Sequence, residues 1–292
     1  MKRKLVKQGA ATMMISLPTK WIKTNNLDKG DEIDLEETNN NLIISSKKGI
    51  SKENKIKFDI SGFNILSNRV ILNLYIRGVD EIELTFTEFE DIKKIQKQII
   101  PELLGFEIIK QTQNTAIIKD VTGLDNQEID DLIKRIFFIL DSMAEELTSA
   151  IKNKESFDPI IETDKGVNRF SSFCLRILNK RGYKEFSKTS QIYEIVTRLE
   201  EIGDIYKDIA RECQKKMKPE KGEIAILEDL RRLINDFNDL LFKYDKSNLL
   251  NLAKEYESIR RRINMKDLMA SYLYNLNETV IRLMGPIMVQ SL

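Results

Sequence analysis

The sequence predicts a multidomain α+β protein: a small N-terminal β module, a small α/β middle domain and a C-terminal all-α region arranged as a duplicated three-helix bundle. Three observations predict it. Residues 1–48 consist of short apolar alternations punctuated by glycine and asparagine, residues 49–122 mix period-two and helical spacing, and residues 123–292 hold apolar residues at three- and four-residue spacing throughout. A chain of 292 residues has room for two or three such domains.

Within the first domain, Lys4 to Lys7, Thr12 to Ser16, Glu32 to Glu36 and Leu42 to Ser45 read as strands, with turns at Gly9, Gly30 and Asn39-Asn40-Asn41. Leu17-Pro18 opens a turn of helix through Trp21 and Ile22, where a proline is tolerated because the first helical amides need no partner. Charge is strongly partitioned. From Met1 to Leu27 stand Lys2, Arg3, Lys4, Lys7, Lys20 and Lys23 with no acidic residue, whereas Asp28 to Glu37 is predominantly acidic, a separation hidden by the net charge of +1. Four short strands and one helical turn bury too little surface to be stable alone, so a partner chain is the natural remedy.

The ordered set Gly9, Ser16-Leu17-Pro18, Trp21 and Leu27-Asp28-Lys29-Gly30-Asp31-Glu32-Ile33 resembles the AbrB/SpoVT family. That resemblance implies a swapped-hairpin homodimer that binds double-stranded DNA, with Arg3, Lys4, Lys7, Lys20 and Lys23 at the DNA-facing positions. Four of these five are lysine, a point charge suited to phosphate, rather than arginine, whose fork reads guanine. Recognition through backbone and shape therefore outweighs base readout. The competing reading of the same residues is a lysine-rich strand edge that only prevents aggregation.

In the middle domain, Lys55 to Ile60 and Glu81 to Phe86 alternate as half-buried strands. A helix carrying Ile65, Leu66, Val70, Leu72 and Leu74 lies between them, and a second helix follows at Phe89 to Ile100. Phe106 to Ile109 and Thr115 to Ile118 complete a β-α-β-α-β-β unit. It has no glycine-rich phosphate loop and no acidic pair at catalytic spacing, so it reads as a spacer or a support for the dimer.

The third domain, from Asp125, shows helices at 126–152, 158–180, 184–216, 220–244, 248–263 and 266–285, separated at Asp158-Pro159, Gly182, Pro219 to Gly222, Tyr244 to Ser247 and Gly285-Pro286. In the third helix Ile192, Ile195, Val196, Leu199, Ile202, Ile205, Ile209 and Cys213 form one stripe. Glu200, Asp204 and Asp208 recur every four residues on the opposite face; Glu162, Asp164 and Asn168 stand on the second helix. Acidic groups from adjacent helices could converge on a hard cation. Equally, acids opposite an apolar stripe form a solvated face, and Glu194 with Arg198 has ordinary ion-pair spacing nearby.

Arg198-Leu199-Glu200-Glu201-Ile202-Gly203-Asp204, continuing to Asp208-Ile209-Ala210, resembles the signature helix of the PhoU family of phosphate-uptake regulators, and Glu162-x-Asp164-x-x-Val167-Asn168 resembles its other acidic motif. The resemblance implies two three-helix repeats, about 123–217 and 218–292, and a divalent or ferric metal ion (iron, manganese, magnesium or zinc) held by Glu162, Asp164, Asn168, Glu200, Asp204 and Asp208. Two departures weaken that implication. Asn168 replaces an expected aspartate, and the second repeat offers only Asn275, Asn277 and Glu278 in place of the acidic helix motif. The combination of parts is similar to archaeal phosphate-uptake regulators, which implies transcriptional control of phosphate homeostasis. A non-DNA-binding adaptor, docked on a phosphate transporter ATPase or a sensor kinase, is the alternative.

Composition excludes much else. No histidine is present, which removes the commonest general base, the Ser-His and Cys-His pairs and every histidine-containing metal site, so the chain reads as a regulator and not an enzyme. Cys174 and Cys213, both at core-facing helical spacing, read as buried reduced thiols. The longest apolar runs fall far short of the roughly 20 residues that span a bilayer, so no membrane span and a cytoplasmic location are expected.

Overall fold

In a computed structural model the described residues are 2–38, 41–46, 54–123 and 127–290. They fall into two compact units, Met1–Asn54 and Lys55–Leu292. Asn39 and Asn40 of the expected turn, the expected boundary at 48/49 and the starts expected at 125 and 126 lie outside the described residues.

The first unit contains two separate antiparallel hairpins and one short helix. Strands β1 (Val6–Gln8) and β2 (Thr12–Met14) pair with Lys7 opposite Met13. The turn between them uses Gly9 at φ +76°, a conformation that costs glycine little. Helix α1 spans Thr19–Thr24, with Pro18 in extended conformation as the residue before its first turn. The chain leaves α1 through Asn26 at positive φ, and the amide of Leu27 donates to the carbonyl of Ile22 at 3.1 Å. Asp28 to Asp31 then close a tight turn: the Asp28 amide donates to Asp31 Oδ2 at 2.8 Å, the Asp31 amide to the Asp28 carbonyl at 3.1 Å, and Gly30 takes φ +99°. This turn displaces the next strand from the expected Glu32 start, so β3 runs Asp34–Thr38 and pairs with β4 (Asn41–Ser45).

The second unit opens with a mixed sheet. Strand β5 (Lys55–Asp59) lies parallel to β6 (Glu81–Thr85), linked by a 3-10 turn (Asn64–Leu66) and α2 (Ser67–Ile76). After α3 (Phe89–Gln98) and a second 3-10 turn (Ile100–Glu102), β7 (Phe106–Gln111) and β8 (Thr115–Asp120) form a hairpin that places β8 against β6, giving the order β5-β6-β8-β7. Alternation along β6 buries Ile82 and Leu84, and along β8 Ala116 and Ile118.

Among the described residues seven α-helices follow: α4 (Ile129–Asn153), α5 (Asp158–Arg181), α6 (Thr189–Lys215), α7 (Lys221–Phe242), α8 (Lys246–Arg262), α9 (Leu268–Ile281) and α10 (Met284–Gln290). Helices α4, α5 and α6 pack on one another, as do α7, α8 and α9, and the two sets meet where α4 lies against α7 and α6 against α9. Local chemistry fixes their ends. Asp245 accepts from the Asn248 amide at 2.8 Å, Asp267 accepts from the Ala270 amide at 2.9 Å, and Glu220 with Glu223 forms a capping box. Gly182, at φ +76° and ψ −175°, ends α5 in a conformation reserved for glycine, and a Cβ there would lie 2.7 Å from the Phe186 ring. A 3-10 turn at Phe186–Lys188 then delays α6 to Thr189, later than the expected 184. Gly285-Pro286 does not break a helix; it lies in the first turn of α10, where a proline costs no hydrogen bond.

The isoleucine stripe of α6 is buried, apart from Ile205 and Cys213, which are half-buried. Burial pushes the Cys213 thiol up to about 11, and that of fully buried Cys174 higher still, consistent with inert packing. One continuous apolar core runs from Ile60 in the sheet layer to Ile287 in the last helix, so the α/β layer and the helices form a single body.

A buried charge joins these two layers. Arg176 of α5 has no exposed surface, and its guanidinium lies against the edge-to-face pair of Tyr75 and Phe106, at 5.0 and 4.9 Å from their ring centroids. It donates to the carbonyls of Tyr75 (3.0 Å) and Val79 (2.6 Å) and to the carboxylates of Asp80 (2.9 Å) and Asp120 (3.2 Å). Lys180, one turn further along, also donates to Asp80 at 2.7 Å, and Asn179 Nδ2 donates to the Ile76 carbonyl at 2.8 Å. A guanidinium with donors on several edges can satisfy such a divergent set of acceptors, which a lysine cannot.

Candidate functional site

Arg3, Lys4 and Lys7, before and within β1, are exposed, as are Lys20 and Lys23 on α1. Pro18 and the C-terminal turn hold α1 so that Trp21 and Ile22 are half-buried, leaving the two lysines on its outer side. The same unit exposes much apolar surface: Leu5 (66%), Val6 (55%), Met13 (54%), Ile15 (46%), Leu35 (59%) and Leu42 (56%). Leu27 is the only apolar residue buried among the described residues of this unit. Among the described residues the strands of this unit thus leave most of their apolar side chains exposed, with Ile43 and Ile44 half-buried. This is the physical signature of a fold that needs a further layer.

The second candidate region lies between α5 and α6. Asp164 on α5 is buried, and Asn168 one turn later donates Nδ2 to Asp164 Oδ2 at 3.2 Å. From α6, Lys207 Nζ donates to the same Oδ2 at 2.8 Å and to Asp204. Glu200 faces the charges of Asp164 and Asp204 and is half-buried, because α5 covers this side of α6. Gly203 allows that cover: a Cβ there would be 3.1 Å from the buried Val167 side chain. Glu102, from the 3-10 turn after α3, also faces this region, and its carboxyl is raised by burial and then by the charge of Asp164.

The six expected ligands do not gather as one set. Glu162 is turned outward to Lys165 at 2.7 Å, and Asp208 pairs with Arg211 at 3.4 Å. Asp164 and Asp204 share the Lys207 ammonium, so Glu200 and the Asn168 carbonyl oxygen are the remaining donors. Among the described residues no group of three or more histidine, cysteine, aspartate or glutamate side chains is placed to hold a metal ion. A cation already sits within the carboxylates, and the residues as arranged do not fit a bound metal.

The same enclosure shifts the acids. Burial, followed by the charges of Asp204 and Asp164, raises the Glu200 carboxyl from 4.5 to about 7. Burial also raises Asp164, opposed by its hydrogen bond from Lys207. Burial pulls Lys207 downward, but its two carboxylate partners more than restore it. Between pH 4.5 and about 7 the folded chain therefore holds a proton on Glu200 that the unfolded chain has lost, so stability falls as pH rises through this window. Glu200→Gln mimics the protonated form and should remove that loss. We expect Tm of the variant to exceed that of the wild type by an amount that grows from pH 5 to pH 8, worth about 1–2 kcal/mol after solvent screening. Parallel pH profiles of Tm would refute the shift.

Lys207, Glu102 and Ser171, whose buried hydroxyl has no partner, are not singled out by sequence reasoning. Lys207 was accessible to it, since a lysine three residues after Asp204 shares its face of the helix. Glu102 is reached only through tertiary packing. The expected ion pairing at Arg198 is present, to Glu194 at 3.7 Å and to Glu201 at 2.9 Å. Among the described residues no helix is long and apolar enough to cross a membrane.

Residues 6–52 match the family model described as antidote-toxin recognition MazE, bacterial antitoxin. The N-terminal module, with its two hairpins and short helix, is thus similar to MazE-type domains. Comparison with curated proteins and with solved structures returns no match. The matched segment is a small part of the 292 residues.

Proposed function

We propose that the chain is a DNA-binding transcriptional regulator. In this reading residues 1–48 pair with the same segment of a second copy to form the DNA-contacting module. The observation that carries this reading is the coincidence, in and just before the MazE-type segment, of exposed basic residues with strands whose described apolar side chains are mostly exposed. Pairing would cover the apolar strands, and Arg3, Lys4, Lys7, Lys20 and Lys23 would then present two sets of positive charge to phosphates. Lysine predominance favours shape and backbone reading over base reading.

The helical body acts in this proposal as the sensing or docking part of the regulator. Its finer assignment to phosphate homeostasis rests on the resemblance of Arg198 to Ala210 and of Glu162 to Asn168 to the PhoU family. A phosphate transporter ATPase or a sensor kinase is the partner class that resemblance suggests, in the cytoplasm. Regulation further requires that such a partner bind two states of the dimer unequally.

The deciding experiment is fluorescence anisotropy of the full chain and of a chain lacking residues 1–54, on DNA from its own promoter and on scrambled DNA. Binding that requires residues 1–54 and prefers the promoter is the expected result. A folded full chain that binds neither DNA at low salt would overturn the reading and leave the protein-docking adaptor in its place.

A further inference from the structure

The turns that join α6 to α7 and α8 to α9 are neighbours: Lys266 Nζ lies 2.6 Å from Glu220 Oε2, and a cleft of about 320 Å³ is lined from both. They stand at the end of the helices away from the α/β layer. Helix α5 begins here, where Gln214 Nε2 donates to Asp158 Oδ1 at 2.7 Å, and meets that layer through Arg176 and Lys180, roughly 30 Å further on. Residues 215–221 hold Lys215, Lys216, Lys218 and Lys221 with one acid, Glu220. Residues 260–268 hold Arg260, Arg261, Arg262 and Lys266 with one acid, Asp267. Both acids are committed to helix starts, Glu220 in the capping box of α7 and Asp267 at the Ala270 amide of α9. The adjoining turn into α5 sets Lys154 against Glu155 and Asp158, so the positive charge is concentrated on the other two turns.

Helix stability accounts for only part of this charge. Lys215 and Arg260 to Arg262 end α6 and α8, where cations suit the helix dipole. Lys221, however, is the first residue of α7, and Lys266 immediately precedes the cap of α9, places where the same dipole disfavours a cation. Lys215 pairs with Glu212 and Arg262 with Asp229, but Lys216, Lys218, Lys221 and Arg261 are exposed and have no ion pair among the described residues. Beside these cations two aliphatic side chains, Met265 (57%) and Leu268 (49%), are also exposed.

We infer that this basic end of the helical body docks on an anionic lipid surface, with the free cations of both turns at the headgroups and Met265 and Leu268 dipping between them. The composition selects that partner. Lipid phosphates lie beside apolar chains, which matches cations interspersed with exposed aliphatic side chains. A nucleic acid offers phosphate but no apolar surface other than its bases, and neither turn has an aromatic residue to stack on them. The magnitude fits reversible docking. Each basic residue near an anionic membrane strengthens association about fivefold, so the four free cations give several hundredfold, and partial burial of two aliphatic side chains adds roughly tenfold. That total is comparable with one myristoyl chain and well short of a permanent anchor. The inference stands independently of DNA binding by residues 1–48.

The test mixes the full chain with vesicles of phosphatidylcholine alone or with about 30% phosphatidylglycerol, and reads bound protein by flotation at low salt and at about 0.5 M salt. The wild type should float with the anionic vesicles at low salt only, and not with the neutral ones. Lys216, Lys218, Lys221 and Arg261 changed together to glutamine should weaken that binding roughly 100-fold or more, with Tm and DNA affinity unchanged. Met265→Ser with Leu268→Ser should weaken it roughly tenfold. Lys4, Lys7 and Lys20 changed to glutamine should leave it intact. A folded wild type that ignores anionic vesicles would overturn the inference, as would vesicle binding that depends on Lys4, Lys7 and Lys20 instead. Unchanged affinity in the Met265→Ser, Leu268→Ser variant would overturn the lipid assignment. So would a quadruple glutamine variant that keeps vesicle binding and loses DNA binding, because nucleic acid would then be what this end contacts.

Discussion

Arg176→Leu is expected to lower the stability of the second unit by about 3–5 kcal/mol, the range found when one partner of a buried ion pair is deleted. For a body of this size that is a fall in Tm of roughly 10 °C. The leucine would keep apolar contact with the rings of Tyr75 and Phe106 but would leave the carbonyls of Tyr75 and Val79 without these donors, and Asp120 without the guanidinium. Asp80 retains Lys180, so the loss is not that of both carboxylates at once. Arg176→Lys should fall between the two, because one ammonium cannot reach four diverging acceptors. The measurement is thermal and urea denaturation of the full chain followed by circular dichroism. A second, earlier transition in Arg176→Leu would show that the α/β layer has come loose from the helices. A loss below about 1 kcal/mol would mean that this network does not bind the layers together.

Arg176 also marks where sequence reading stops. The helices were legible because their apolar stripes are local patterns, and the stripe from Ile192 to Ile209 is buried as its spacing requires. The strands of both small sheets were legible from alternation and from Gly9 and Gly30, to within a few residues at their ends. Arg176 stands alone among Phe173, Cys174, Leu175, Ile177 and Leu178, and its partners Asp80 and Asp120 lie 96 and 56 residues away. No periodicity encodes such a pairing. The acidic face of α6 is a second case. Spacing places Glu200, Asp204 and Asp208 together on one face, but only packing decides that Glu200 is half-buried beside α5, that Asp204 shares Lys207 with Asp164 and that Asp208 lies beside Arg211. Gly285-Pro286 was misjudged for a local reason: proline ends one helix and opens another with the same residue, and nothing nearby shows which.

Neutralising Lys4, Lys7 and Lys20 together, as glutamines, should weaken DNA binding roughly 100- to 1000-fold at moderate salt while leaving Tm of the helical body unchanged. The size follows from counterion release. Each lysine that contacts a phosphate contributes about 0.9 to the slope of log K against log salt concentration, and a dimer would present each of them twice. The slope should therefore shrink by up to about five, and promoter and scrambled DNA should weaken in parallel, because phosphate contacts carry no base information. All three residues are exposed, so their replacement removes charge without opening a cavity. Lys→Arg at the same positions should leave affinity nearly intact if the contacts are to phosphate. A salt slope unchanged by the glutamine variant would place the DNA contacts elsewhere and restore the reading of these lysines as a solvated edge that prevents aggregation. Loss of promoter preference alone, with the slope intact, would show that they read base edges instead.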